Sequence, residues 1–69
     1  MVEVFKTNVE EPHQAATLAQ LLSARFAHFR IRFDLEDCDR VLRVEGPAIP
    51  SESIVEMVRS HGFHCEILL

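Results

Sequence analysis

With 69 residues and a formal charge of −4, the chain is long enough for one small domain and too acidic for a general nucleic-acid-binding protein. Apolar residues make up 48% and charged residues of mixed sign 26%, proportions typical of a folded globular protein. The sequence shows neither a signal-peptide pattern nor an apolar run of membrane-spanning length. We therefore expect one cytoplasmic domain, residues 1–69, with no membrane or nucleic-acid partner.

The first quarter of the chain predicts a strand followed by a helix. Residues 2–7 are rich in β-branched and aromatic types, and the pattern leaves open whether Val2 and Val4 or Phe5 and Thr7 face the core. Pro12 favours a helix start because its missing N–H is not needed there. Apolar residues then recur at helical spacing: Ala15, Leu18, Ala19, Leu22 and Phe26.

The middle of the chain predicts a hairpin. From Phe29 to Glu36, apolar and charged residues alternate strictly, which is the period of a strand with one buried face. The segment Asp37-Cys38-Asp39 predicts a turn, and Leu42 and Val44 continue the alternation in the next strand.

The last third predicts a helix and a strand. Gly46 and Pro47 end the third strand, and Pro50 or Ser51 opens a helix that reaches His61. Gly62 is a typical residue after a helix end. Residues 63–69 predict a final strand in which Cys65 and Ile67 face inward.

The order βαββαβ predicts an α+β fold of the ferredoxin-like type. Right-handed crossovers give an antiparallel sheet of order 4-1-3-2 with both helices on one face. In this topology three connections emerge at the same pole of the domain: the loop after the first strand, the hairpin turn and the turn before the last strand.

Two cysteines are too few for a disulfide framework, and their spacing matches no closed zinc site. We expect reduced thiols, with Cys65 as a small core residue. Cys38 lies in an acidic turn, which is a poor setting for a reactive thiolate.

The residue pattern resembles that of the heavy-metal-associated domain, the fold of small copper chaperones and of metal-binding domains in metal-transporting ATPases. The resemblance spans the whole chain and is carried by residues Phe5 to Val9, Val41 to Gly46, Ile54 to Val58 and His61 to Phe63. It implies a ferredoxin-like fold whose working loop follows the first strand.

In that family the loop carries two cysteines, separated by two residues, whose thiolates hold a soft ion such as Cu(I). Glu11 and Gln14 occupy those positions here, with Pro12 and His13 between them. Neither residue supplies a thiolate. The resemblance therefore implies the fold, while the ligands argue against Cu(I).

Two interpretations of this pole remain open. Its imidazoles and carboxylates suit Zn(II), Ni(II) or Cu(II), so one hypothesis is a residual metal site at Glu11, His13 and His61. The other is that Glu10 and Glu11 only decorate a helix N-terminus, His61 caps a helix C-terminus, and His13 and His64 are solvated, in which case no cofactor is expected.

The sequence predicts no catalytic residues, because it contains no triad-like arrangement and no glycine-rich phosphate loop. Partner contacts in the family run through the same loop, which implies a partner surface at Glu10, Glu11, His13 and Gln14. We therefore expect a non-enzymatic module that binds a protein, with self-association through a sheet edge as an alternative.

Overall fold

The computed structural model describes residues 1–68, which form a four-stranded sheet and two helices. The elements in chain order are β1 (Val2–Thr7), α1 (Pro12–Arg25), β2 (Arg30–Asp34), β3 (Val41–Glu45), α2 (Ser51–Ser60) and β4 (Cys65–Ile67).

The strands are arranged in the order β2-β3-β1-β4, and every neighbouring pair is antiparallel. This is the predicted order read from the other edge. The α+β class and the strand order are therefore confirmed, and both are consistent with the ferredoxin-like arrangement.

The central strand β1 resolves the choice that its sequence left open. Phe5 and Thr7 are buried, whereas Val2 is exposed and Val4 is half-buried. The helices cover the Phe5 side, because the main core cluster joins one face of the sheet to both of them. Its members are Phe5, Leu22, Leu42, Val44, Ile54, Val58 and Cys65.

The last strand is shorter than predicted. It covers only Cys65–Ile67, and the predicted end at Leu69 lies outside the described residues. Cys65 is buried as expected, but Ile67 is 38% exposed. Ile67 pairs with Phe5 and so lies on the helix side of the sheet. It stays accessible because β4 is an edge strand, and the groove between β4 and α2 is open there.

The face of the sheet away from the helices carries charged side chains, as predicted. Arg32 stands directly opposite Arg43, which is a destabilising like-charge pair. The other cross-strand pairs on the same face are Arg30 opposite Glu45, Asp34 opposite Val41 and Lys6 opposite Glu66. Within residues 1–68, no helix has both the length and the apolar character needed to cross a bilayer.

Gly46 permits the close approach of the α1–β2 connection to the end of β3. A Cβ atom at this position would overlap the ring of Phe29, which itself packs edge-on against Phe26 with ring centroids 6.3 Å apart. Gly46 therefore leaves the space that the Phe29 ring fills.

Replacing Gly46 with alanine should lower the free energy of unfolding by about 1–3 kcal/mol, the usual cost of overpacking. Urea denaturation measures this loss. In a Phe29→Ala background the same Gly46→Ala change should cost less than half as much, because the ring is gone. An equal cost in both backgrounds would contradict the steric explanation.

Candidate functional site at the loop pole

Three connections meet at one end of the domain, which we call the loop pole: residues 8–11, 35–40 and 61–64. Thr7 joins the first two. Its backbone N–H donates to Asp39 O at 3.0 Å and its hydroxyl donates to Arg40 O. The same hydroxyl accepts a hydrogen bond from Val9 N–H at 3.2 Å. The hydroxyl of this buried side chain therefore both donates and accepts a hydrogen bond.

The third connection is joined to the first by Asn8. The backbone N–H of His64 donates to Asn8 Oδ1 at 2.7 Å. Together with the Thr7 contacts, this hydrogen bond confirms the sequence prediction that the three connections share a pole.

Arg40 is a pole residue that sequence reasoning missed. Its backbone has a positive φ of 45°, and its guanidinium reaches two connections at once. Nη1 donates to Leu35 O at 2.8 Å, and Nη2 lies 3.6 Å from Glu10 Oε1. Nothing in the local sequence marks an arginine for left-handed backbone, since that conformation follows from the way the loop closes on Thr7.

Glu11 and Gln14, which stand at the family's cysteine positions, lie at the start of α1. Glu11 is the N-cap residue in an extended conformation, and its carbonyl accepts from the backbone N–H groups of Gln14 and Ala15 at 3.0 and 3.1 Å. Its side chain makes no cap hydrogen bond and instead lies 3.6 Å from His13 Nδ1. The Glu11 side chain is exposed and the Gln14 side chain is half-buried, so both are at least partly accessible to another molecule.

A groove of about 240 Å³ opens at this pole between α1 and the end of α2. Its floor is apolar, and its rim includes two of the predicted partner-binding residues. The lining residues are His13, Gln14, Thr17, Leu18, Leu21, His61 and Phe63. Leu21, which is not part of the apolar stripe predicted for α1, is 36% exposed here.

His61 is oriented by its own helix. Its Nδ1 lies 2.8 Å from Met57 O and 3.3 Å from Ser60 Oγ. A proton on Nδ1 satisfies the Met57 carbonyl and leaves Nε2 as the lone-pair nitrogen, which is the usual state of a metal-binding histidine. The ring is exposed and lines the same groove as His13.

The structure brings only part of the predicted metal set together. Glu11 and His13 are neighbours and His61 lines the same groove as His13, but the three do not form a ligand cluster. Among residues 1–68, the set of three ligand atoms within 4.8 Å of one another is Asp37, Cys38 and Asp39 in the hairpin turn. This set is exposed or half-buried, and such acidic turns are common without an ion.

The two thiols have different surroundings. Cys65 is buried in the core, and its burial raises the pKa of the thiol to about 11, an effect that Arg59 partly offsets. Cys38 is exposed in the acidic turn. Cys65 is thus a neutral core residue at physiological pH.

The pole is acidic overall. Its three connections contain five acidic residues and one arginine, Arg40. The acidic residues are Glu10, Glu11, Glu36, Asp37 and Asp39. The nearest further cation is Lys6, whose Nζ lies 3.9 Å from Asp39 Oδ1. Positive charge on a partner would therefore favour its association with this acidic surface.

Comparison of the chain with models of known families, with curated proteins and with solved structures gives no match. The resemblance to heavy-metal-associated domains therefore rests on the residue pattern and remains a hypothesis.

Replacing Thr7 with valine keeps the shape of the side chain but removes the hydroxyl that holds the pole together. We expect a loss of about 1–3 kcal/mol in unfolding free energy, because a buried donor and acceptor lose their partner. Hydrogen exchange of the Val9 amide should also accelerate. Thr7→Ser, which keeps the hydroxyl, should leave that exchange rate close to wild type. An unchanged Val9 exchange rate in Thr7→Val would contradict this role.

Proposed function

We propose that this chain is a non-enzymatic, cytoplasmic interaction module, a ferredoxin-like domain related to heavy-metal-associated domains, whose loop pole binds a protein partner. The observation that carries the proposal is the groove beside α1. It places exposed apolar surface, including Leu21, next to His13 and Gln14, and the carboxylate of Glu11 lies 3.6 Å from the His13 ring. Apolar patches bordered by polar groups are typical of protein-binding sites.

The chemistry of the groove indicates the kind of partner. An apolar side chain can seat against Leu18, Leu21 and Phe63, and a neighbouring lysine or arginine can approach Glu11. The apolar contact would supply most of the affinity, while the charges would guide the encounter. We therefore infer a basic partner segment with at least one large apolar residue.

The residues at the family's cysteine positions support the loss of Cu(I) carriage. Glu11 and Gln14 offer oxygen and nitrogen in place of sulfur, and soft ions prefer thiolates. The exposed Glu11 and the half-buried Gln14 remain suited to an ion pair and to hydrogen bonds with a protein.

Substitutions on either side of the groove test the surface. A partner is captured by cross-linking in the source cells and purified, and its affinity for each variant is measured by calorimetry. Leu21→Glu should weaken binding at least about tenfold and Glu11→Lys about threefold to tenfold, since the first removes an apolar contact and the second reverses the rim charge.

Glu56→Lys is the matched control, because Glu56 is an exposed carboxylate on α2 away from this groove. Its affinity should stay within about twofold of wild type. If Leu21→Glu and Glu11→Lys bound as tightly as this control, the loop pole would not be the partner surface.

A second candidate function, residual binding of a divalent metal, is favoured by one observation. His61 has its Nδ1 held by Met57 O and lines the same groove as His13, so two imidazoles border one opening. With Glu11 beside His13, a movement that brings His61 to His13 would assemble a ligand set suited to Zn(II), Ni(II) or Cu(II).

Calorimetric titration with Zn(II), Ni(II), Cu(II) and Cu(I) under reducing conditions tests this candidate. It predicts Zn(II) binding in the micromolar range that weakens about tenfold in either His13→Ala or His61→Ala. Cys38→Ser should bind normally, which separates this site from the Asp37-Cys38-Asp39 turn. Tight binding of Cu(I) would contradict the argument that Glu11 and Gln14 cannot replace the cysteine thiolates. If no ion bound, the metal-binding candidate would be wrong and the interaction module would be the one remaining proposal.

A further inference from the structure

The strand β2 is an unprotected edge of the sheet. It pairs with β3 on one side, and within residues 1–68 no strand pairs with its other side. Natural edges are protected by proline, by a bulge or by charged side chains, above all lysine. The five residues RIRFD contain neither proline nor lysine and pair with β3 without a break, and their charges are of both signs, so they do not repel every approaching strand. Two half-buried side chains, Ile31 and Phe33, lie on its helix side.

The strand at the opposite edge, β4, is short and partly covered. It is three residues long, and the guanidinium of Arg59 on α2 donates through Nε to the carbonyl of Cys65 at 3.1 Å. This contact covers part of the outward-facing backbone of β4. The contrast identifies β2 as the edge that remains available for pairing.

The hydrogen bonds of the sheet show which backbone groups β2 leaves open. Directly opposite residues in an antiparallel pair exchange both backbone hydrogen bonds or none, and the two kinds alternate. Gly46 N–H donates to Met1 O at 3.0 Å, and the register sets these residues opposite each other. Counting from this bonded pair, the even-numbered residues of β2 bond to β3. The N–H and C=O groups of Ile31 and Phe33 therefore point to the open edge.

Two antiparallel copies of this edge strand are complementary in charge. If the segment RIRFDLE (residues 30–36) is set antiparallel to a second copy and centred on Phe33, every charged residue meets an opposite charge. The resulting pairs are Phe33 with Phe33, Arg32 with Asp34, Ile31 with Leu35 and Arg30 with Glu36.

We propose that a second copy of this chain pairs with β2 in this register, so that the two sheets join into one across a two-fold axis at Phe33. The proposal goes beyond the partner surface at the loop pole, because it uses a different part of the molecule. Its essential pairs, at Phe33 and between Arg32 and Asp34, all lie within β2 as observed.

Electrostatics select this register over its neighbours. Moving the axis to Arg32 still pairs the open N–H and C=O groups of Ile31 and Phe33. It also places Arg32 directly opposite Arg32 of the second copy, which is a like-charge pair. Moving it to Ile31 sets Arg30 against Arg32. Only the register centred on Phe33 avoids opposing like charges.

Among residues 1–68, the arginines of β2 form no ion pair with a carboxylate. Arg32 already faces Arg43 across the sheet, and among residues 1–68 neither has a carboxylate at ion-pair distance. Asp34 accepts from Glu36 N–H through Oδ1 at 3.2 Å, which leaves its second oxygen for Arg32 of the second copy. Dimerisation thus supplies Arg32 with a counter-charge that residues 1–68 of its own chain do not place at ion-pair distance.

The helix above β2 leaves room for a second copy. Leu18 and Leu22 of α1 face the sheet, and Leu21 faces the groove toward α2. At about 100° per residue, the flank of α1 away from Leu21 carries three small side chains beyond the first residue of the helix. They are Ala16, Ala19 and Ser23.

Sedimentation of the whole chain from about 1 μM to about 1 mM, the range in which weak associations appear, should show a monomer–dimer equilibrium. Amide hydrogen exchange at Ile31 and Phe33 should slow as the fraction of dimer rises with concentration. A chain that stays monomeric throughout, or a dimer that does not protect these two amides, would overturn the proposal.

A charge swap tests the register. Arg32→Asp and Asp34→Arg should each weaken the dimer about tenfold, because each sets like charges opposite each other twice. The double variant restores the pairing of opposite charges and should recover affinity to within about threefold of wild type. Circular dichroism at the dilute end checks that each variant is folded. A double variant no tighter than the singles would refute this pairing.

Discussion

The hydroxyl of Thr7 is the contact on which the loop pole depends. It lies at the end of the central strand, is almost fully buried, and bonds at once to Arg40 O and Val9 N–H. A buried hydroxyl without these partners would be costly, so the chain turns out of β1 in a way that satisfies it. Val9 then enters a second core cluster with Ala15 and Leu18, which sets the start of α1 against the sheet. The position of the groove follows from this arrangement.

The two proposed surfaces are separate, so one does not exclude the other. The groove lies between the helices, on the flank of α1 that carries Leu21. The open edge of β2 lies beyond the other flank of α1, where small side chains stand. A dimer joined at Phe33 would therefore present two grooves and could bind two partner segments. Linked sites of this kind raise overall affinity without new contacts when one partner spans both.

Part of the candidate site follows from local sequence alone. Pro12 sets the start of α1, so the placement of Glu11, His13 and Gln14 in its first turn could be predicted. The topology then brings His61 to the same pole. The role of Arg40 could not be predicted, because its positive φ and its contacts with Leu35 and Glu10 arise from three segments closing on one another.

The periodic patterns of the sequence determined the elements, their order and the sheet topology, because hydrophobic spacing reflects the geometry of each element and handedness limits the ways to connect them. Only the tertiary structure decided which face of β1 is buried, how early β4 ends and why Leu21 is exposed in a groove. These features depend on contacts between residues far apart in the chain, and local periodicity carries no information about such packing.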